Sequence, residues 1–247
     1  MTPVADMSGQ SAFPCRLIHD PAGAGRRLQF WKDLISPLGC WLWGGEVRDW
    51  ARLPVGPVIV VANHLSTFDT LLLGWAMPRP AAFMAKSEII EWPVVGAEAV
   101  RVGGFPARRG RGDQTAYLTS LAVLDAGHPV VLHPEGSRSP DGRFGMQRLR
   151  SGAARIALAR PVPIQPVALF GTDGMMPRGR FTPGRGTVSA QFGEPIRPEA
   201  YLTPEDWPLA DRIRAVNVTI DRAIRSLLPP HLQTEGPTPG LETAPVG

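Results

Sequence analysis

The chain has 247 residues, 43% hydrophobic and 19% charged, with a formal net charge of +4 at pH 7. That supports a large buried core, and the 27 glycines and 27 prolines stay below the share that marks low-complexity chains. Collagen, coiled coil and intrinsic disorder are excluded; two cysteines, Cys15 and Cys40, cannot staple a chain this long and are read as free thiols in a reducing compartment.

Residues 1–25 show no basic segment followed by an apolar run, so they are not a secretory signal and read as a mobile tail. No stretch reaches the ~18 consecutive apolar residues of a transmembrane helix. The nearest is residues 34–47, which is shorter and interrupted by Pro37, Gly39 and Gly44. Trp31, Trp41, Trp43 and Trp50 cluster there behind Arg26, Arg27 and Lys32. Indole rings beside basic residues suit the water–lipid interface, and a core-packed N-terminal helix is the alternative.

From residue 57 onward short apolar runs alternate with helical patterns. Strands are predicted at 57–62, 81–85, 97–102, 129–133, 162–170 and 187–192. Helices are predicted at 70–77, 114–126, 151–159 and 209–228, the second closed by Gly127 and the last stopped by Pro229-Pro230. Residues 230–247 read as a second mobile tail. The alternation implies an α/β fold: one domain over 26–229, a largely parallel or mixed central sheet flanked by helices, and an N-terminal helical segment facing a membrane. In such sheets the loops after the strands carry the chemistry.

Of the 26 basic residues 24 are arginine, whose planar fork suits phosphate and carboxylate. The balance favours anionic partners without choosing among them. The chain contains no G-x-S-x-G elbow, no phosphate loop, no dinucleotide fingerprint, and no C-x-x-C or H-E-x-x-H pair. Three polar groups remain where predicted strands end.

The first, Asn63 to Asp69, contains an H-x4-D spacing. Five residues apart on one straight helix, His64 and Asp69 would point ~140° away from each other. A loop that turns into a helix can pair them, leaving one imidazole nitrogen as a general base; the alternative is helix capping by Asn63 and Asp69. The second, His133 to Ser139, sets Glu135, Gly136, Ser137 and Arg138 in a tight loop suited to a hydroxylated, phosphorylated molecule. The third, Gly103 to Arg109, ends in Arg108 and Arg109, a solvated face or a further phosphate ligand.

Together these segments resemble the glycerolipid acyltransferase family, the 1-acyl-glycerol-3-phosphate acyltransferases. Asn63-His64 through Asp69 resembles its N-H-x4-D block, Phe105 to Arg109 its second block, Pro134 to Ser139 its P-E-G-[TS]-R-S block, and Val162 to Val167 its fourth. Lys86-Ser87-Glu88 resembles the usual connection between the first two, and the likeness spans residues 55–200. Two departures stand out. His133 occupies a place the family usually gives to an aromatic residue, and Arg108 stands where aspartate is common, so Arg109 is the matching arginine.

The resemblance implies transfer of a fatty acyl group from acyl-CoA or acyl carrier protein to the free hydroxyl of a lysolipid, by default 1-acyl-glycerol-3-phosphate; hydroxyls of other lipids or specialised metabolites share the chemistry. His64 would be the base and Asp69 its orienting partner. Glu135, Gly136, Ser137 and Arg138, with Arg109, Arg108 and Lys86, would hold the acceptor, and Asn63 or Ser66 would serve the oxyanion or positioning. No metal or cofactor is implied, and the partners are a membrane surface, lysolipid and acyl donor, not nucleic acid. The expected location is peripheral, on the cytoplasmic face of a membrane. Two other readings stay open: a metal-dependent hydrolase with His64, Asp69, His133 and Glu135 as ligands, and an inert basic protein that binds membrane or nucleic acid.

Overall fold

The structure, a computed structural model, describes residues 10–11, 24–107, 113–140, 143–144, 148–175, 184, 186–235 and 238. The chain opens with β1 (Gln10–Ser11), α1 (Ala24–Trp43) and β2 (Gly45–Arg48). A βα succession follows: β3 (Val58–Ala62), α2 (Phe68–Ala76), β4 (Ala82–Lys86), α3 (Ser87–Ile90), α4 (Val95–Arg101), β5 (Gly104–Ala107), α5 (Gln114–Asp125) and β6 (Pro129–Leu132). It closes with α6 (Ser151–Ala159), β7 (Ile164–Phe170), β8 (Val188–Phe192) and α7 (Leu209–Arg225).

The strands form one mixed sheet in the order β1-β2-β8-β7-β3-β6-β4-β5. Strands β7, β3, β6, β4 and β5 run parallel, while β8 is antiparallel to β7. β3 is central and wholly buried, as expected for an unbroken V-I-V-V-A run with helices on both faces. Its side chains alternate between two cores. Ile59 and Val61 join Val130, Leu132, Ile156 and Ile220, while Val58 and Val60 join Leu72, Leu73, Val131 and Leu169. Each such aliphatic side chain contributes about 1.5–3 kcal/mol when removed from water.

Most predicted elements lie within two residues of the observed ones, and the single α/β domain has the expected layers. Residues 97–102 do not. A strand was expected there, but α4 covers Val95–Arg101 and the strand is β5 at Gly104–Ala107. Ala97, Glu98, Ala99 and Arg101 are helix formers, with Arg101 reaching back to Glu98 at 3.4 Å. Gly103 makes the turn between the two at φ 102°, with Ala81 O 2.5 Å from where a Cβ would sit.

Residues 230–235 and 238, placed in the second tail by the sequence, are held in the fold. Phe144 N donates to Leu232 O at 2.7 Å and Thr234 N to Phe144 O at 2.9 Å. Arg225 binds Asp221, Thr234 and Thr238, the last fully buried. Residues 230–235 and 238 are thus packed against α7, because threonine and proline here satisfy polar groups of the domain. Of the first tail, 10–11 pair with 47–48 and 24–25 begin α1; its other residues, Cys15 included, lie outside the described set. No helix among the described residues is long and apolar enough to cross a membrane.

Candidate active site

β3 and β6 are parallel neighbours in a register that sets Val61 against Leu132. The segments that follow them, Asn63–Thr67 and His133–Ser139, therefore leave the sheet side by side. Each braces the other.

The first segment turns within four residues into α2, which begins at Phe68. Asp69 is thereby carried back toward the strand end. His64 Nδ1 lies 2.9 Å from Asp69 Oδ2, which also accepts the backbone N–H groups of Leu65 at 2.6 Å and Ser66 at 2.7 Å. Asp69 is completely buried at the helix N-terminus, where the peptide dipoles favour a carboxylate. Since Asp69 accepts, His64 Nδ1 carries the proton, and Nε2 is left with its lone pair. The His64 side chain keeps 14% exposure, which gives a substrate access to it.

The second segment grips the backbone of the first. The fully buried Glu135 accepts the His64 N–H on Oε1 at 3.0 Å, and Ser139 N–H donates to His64 O at 2.8 Å. His64 is held on both its backbone groups. Gly136 makes the turn at φ 68°, and a Cβ there would stand 2.9 Å from Arg150 Cγ, so both backbone and space call for glycine. Arg138 donates to Thr67 Oγ1 at 2.7 Å, tying the two segments a second time. His133 stacks on His64, centroids 4.1 Å apart and planes 11° apart. Its Nδ1 lies 3.0 Å from Ala62 O and 3.1 Å from Asn63 O. Both are acceptors, so this nitrogen also carries its proton. Burial first, then the neighbouring His64, push the His133 pKa down to about 4, so the ring is neutral at neutral pH.

These positions revise several expected roles. Glu135 was expected to meet a substrate hydroxyl; it is buried, and Oε1 holds the His64 backbone instead. Asn63 donates to Leu169 O at 3.0 Å and accepts Leu169 N–H at 2.7 Å, so its buried amide clamps β7 rather than facing an oxyanion. Ser66 Oγ accepts the Phe68 N–H at 3.1 Å and serves the start of α2. The amides of His64, Leu65 and Ser66 are likewise taken by Glu135 and Asp69. Lys86 ends β4 on the same edge of the sheet and pairs with Glu88 at 2.8 Å. Ser137 is half-buried in the second segment. Arg108 and Arg109 lie outside the described residues.

The four residues of the hydrolase alternative do not make a metal site. Stacked rings with both Nδ1 atoms engaged do not converge on one ion, and the described residues contain no group of three or more metal-ligating side chains. His133 had no expected role in acyl transfer, only that of a ligand in the hydrolase alternative. Its signal was position: it directly follows β6 and directly precedes Pro134-Glu135-Gly136.

The mixed α/β sheet carries the His64–Asp69 couple where two of its parallel strands end, and the chain belongs to the acyltransferase family, whose family model matches residues 46–170. It is 34% identical over 166 residues to the lyso-ornithine lipid O-acyltransferase of Pseudomonas aeruginosa, covering 61% of this chain and 64% of that protein. It is 32% identical over 187 residues to 1-acyl-sn-glycerol-3-phosphate acyltransferase alpha of Homo sapiens, covering 72% and 64%. With the lyso-ornithine lipid O-acyltransferase of Brucella abortus it shares 30% identity over 217 residues, covering 76% and 77%. The first two relatives are thus matched over just under two thirds of their length. Among solved structures, the 1-acyl-sn-glycerophosphate acyltransferase PlsC of Thermotoga maritima is similar at TM-score 0.62 and 28% identity, over 83% of this chain and 79% of that one.

Proposed function

We propose that this acyltransferase moves a fatty acyl group from a thioester, acyl-CoA or acyl carrier protein, to the free hydroxyl of a lysolipid. The observation that carries the reading is the 2.9 Å contact of His64 Nδ1 with Asp69 Oδ2, which leaves Nε2 as the base. As the hydroxyl oxygen attacks the thioester carbonyl, His64 Nε2 takes its proton and Asp69 steadies the imidazolium. The tetrahedral intermediate then collapses, the C–S bond breaks, and the imidazolium returns its proton to the departing sulfur. Arg138 and Lys86, with Arg109 and Arg108, meet the acceptor's anionic group beside Gly136 and Ser137. No metal or cofactor takes part. The enzyme works from a membrane surface, peripherally, with exposed Phe30, Leu34, Trp92, Val94 and Val95 offered to the lipid.

The acceptor we favour is 1-acyl-glycerol-3-phosphate, whose phosphate suits the arginines and whose acylation names the human and Thermotoga relatives. A lyso-ornithine lipid is the second reading. It is supported by the Brucella relative, with its match over 77% of that protein. The test is thiol release and lipid product formation from palmitoyl-CoA, or palmitoyl carrier protein, with each acceptor in turn, using wild type, His64→Ala and a chelator-treated sample. Product with one acceptor, lost in His64→Ala and kept after chelation, is the expected result. Full activity in His64→Ala would sink the mechanism, and loss on chelation would return the metal alternative.

A further inference from the structure

We propose that His133 is a positioning residue for His64: its ring is a fixed plate that holds the plane of the His64 imidazole while Nε2 meets the acceptor hydroxyl. The inference rests on the acyltransferase reading. Asp69 alone fixes the His64 ring at one point, Nδ1, and a single hydrogen bond is an axis about which the ring can swing. A parallel ring at 4.1 Å, tilted by 11°, removes that freedom. The plate cannot itself turn. Its Nδ1–H is shared between Ala62 O and Asn63 O, the two carbonyls that immediately precede His64 in the chain. Base and plate are therefore anchored to the same stretch of backbone, and movement of one is movement of both.

Charge supports the assignment. With its pKa lowered to about 4 by burial and by His64, the second imidazole stays neutral and sets no cation against the imidazolium that forms on His64 during transfer. A planar, neutral ring with one polar anchor combines the two requirements. A purely aliphatic side chain of similar size supplies neither the flat face nor the anchor.

The experiment compares His133→Phe and His133→Leu with wild type and His64→Ala in steady-state kinetics. The 15N spectrum of the His64 ring gives a readout independent of turnover. His133→Leu is expected to lower kcat about 10–100-fold with KM within about threefold, since misplacing a base by a fraction of an ångström acts on the chemical step. His133→Phe is expected to recover kcat to within about threefold of wild type, and the His64 ring 15N signals to stay sharp in wild type and His133→Phe but broaden by ring motion in His133→Leu. Where His133→Leu does not fold, His133→Met takes its place with the same expectation. Wild-type kcat in the aliphatic variant, or equal impairment in His133→Phe, overturns the proposal. If His64→Ala is also fully active, the acyltransferase mechanism falls with it; if His64→Ala is inactive, only the role of His133 falls.

Discussion

Around His64 the polar groups are buried and turned on one another, whereas along α1 and the α3–α4 segment both charges and large apolar side chains lie at the surface. Asp69, Glu135 and Asn63 are wholly buried, and each binds a backbone N–H of a neighbouring segment. On the other side Arg27 and Trp31 of α1 bind Glu98 of α4, while Phe30, Leu34, Trp92 and Val94 are more than half exposed. In the buried cluster a low local dielectric strengthens each hydrogen bond and makes its loss costly, so geometry is rigid. Surface ion pairs are worth only about 0–1 kcal/mol, so the outer face can exchange partners. The His64–Asp69 couple and the exposed apolar face thus rest on different physics.

That contrast is breakable. The largest effect is expected from Asp69→Asn, which keeps the shape but removes the carboxylate that selects the His64 tautomer. kcat should fall about 10²–10⁴-fold with the fold intact by circular dichroism. A residual activity near wild type would show that Asp69 only caps α2. Next comes Glu135→Ala. Leaving the buried His64 N–H unpaired should cost about 1–3 kcal/mol by denaturant unfolding and lower kcat along with stability. Unchanged stability would mean that the second loop does not brace the first.

The third test is acid. His133 has a folded-state pKa of about 4, below its ordinary 6.5. Between these values the unfolded chain binds more protons than the folded one. Stability is therefore fully present above about 6.5 and declines as pH falls toward 4, by up to ~1.4 kcal/mol per pH unit. His133→Phe should flatten that slope, and a slope unchanged in the variant would refute the assignment. The smallest effect on turnover belongs to the outer face. Leu34→Glu with Trp92→Glu should reduce co-sedimentation with anionic vesicles several-fold while leaving turnover of a water-soluble short-chain acceptor unchanged. Equal vesicle binding in the variant would detach that face from the membrane.

Much of this was legible in the residues. The V-I-V-V-A run of β3, Gly127 closing α5, and the break at Pro229 follow from local propensity and steric rules, which act within a few residues. The H-x4-D spacing showed that a turn must separate His64 from Asp69, and the turn at Ser66–Thr67 does so. Residues 97–102 misled because so short a run, apolar at 97, 99, 100 and 102, fits a strand and a helix equally, and composition decided. Residues 230–235 and 238 misled because glutamine and threonine look solvent-exposed until Arg225 and Phe144 are known to lie beside them.

By itself, the sequence determined the α/β class, the H-x4-D spacing of His64 and Asp69, and the family, because these are written in short-range order and in motifs. Only the tertiary structure decided that Glu135 grips the His64 backbone, that Asn63 clamps β7, and that His133 lies face to face with His64. Each of those contacts joins residues about 70 to 106 positions apart. Their partner is chosen by the register of parallel strands, a property of the assembled sheet that no local stretch of chain contains.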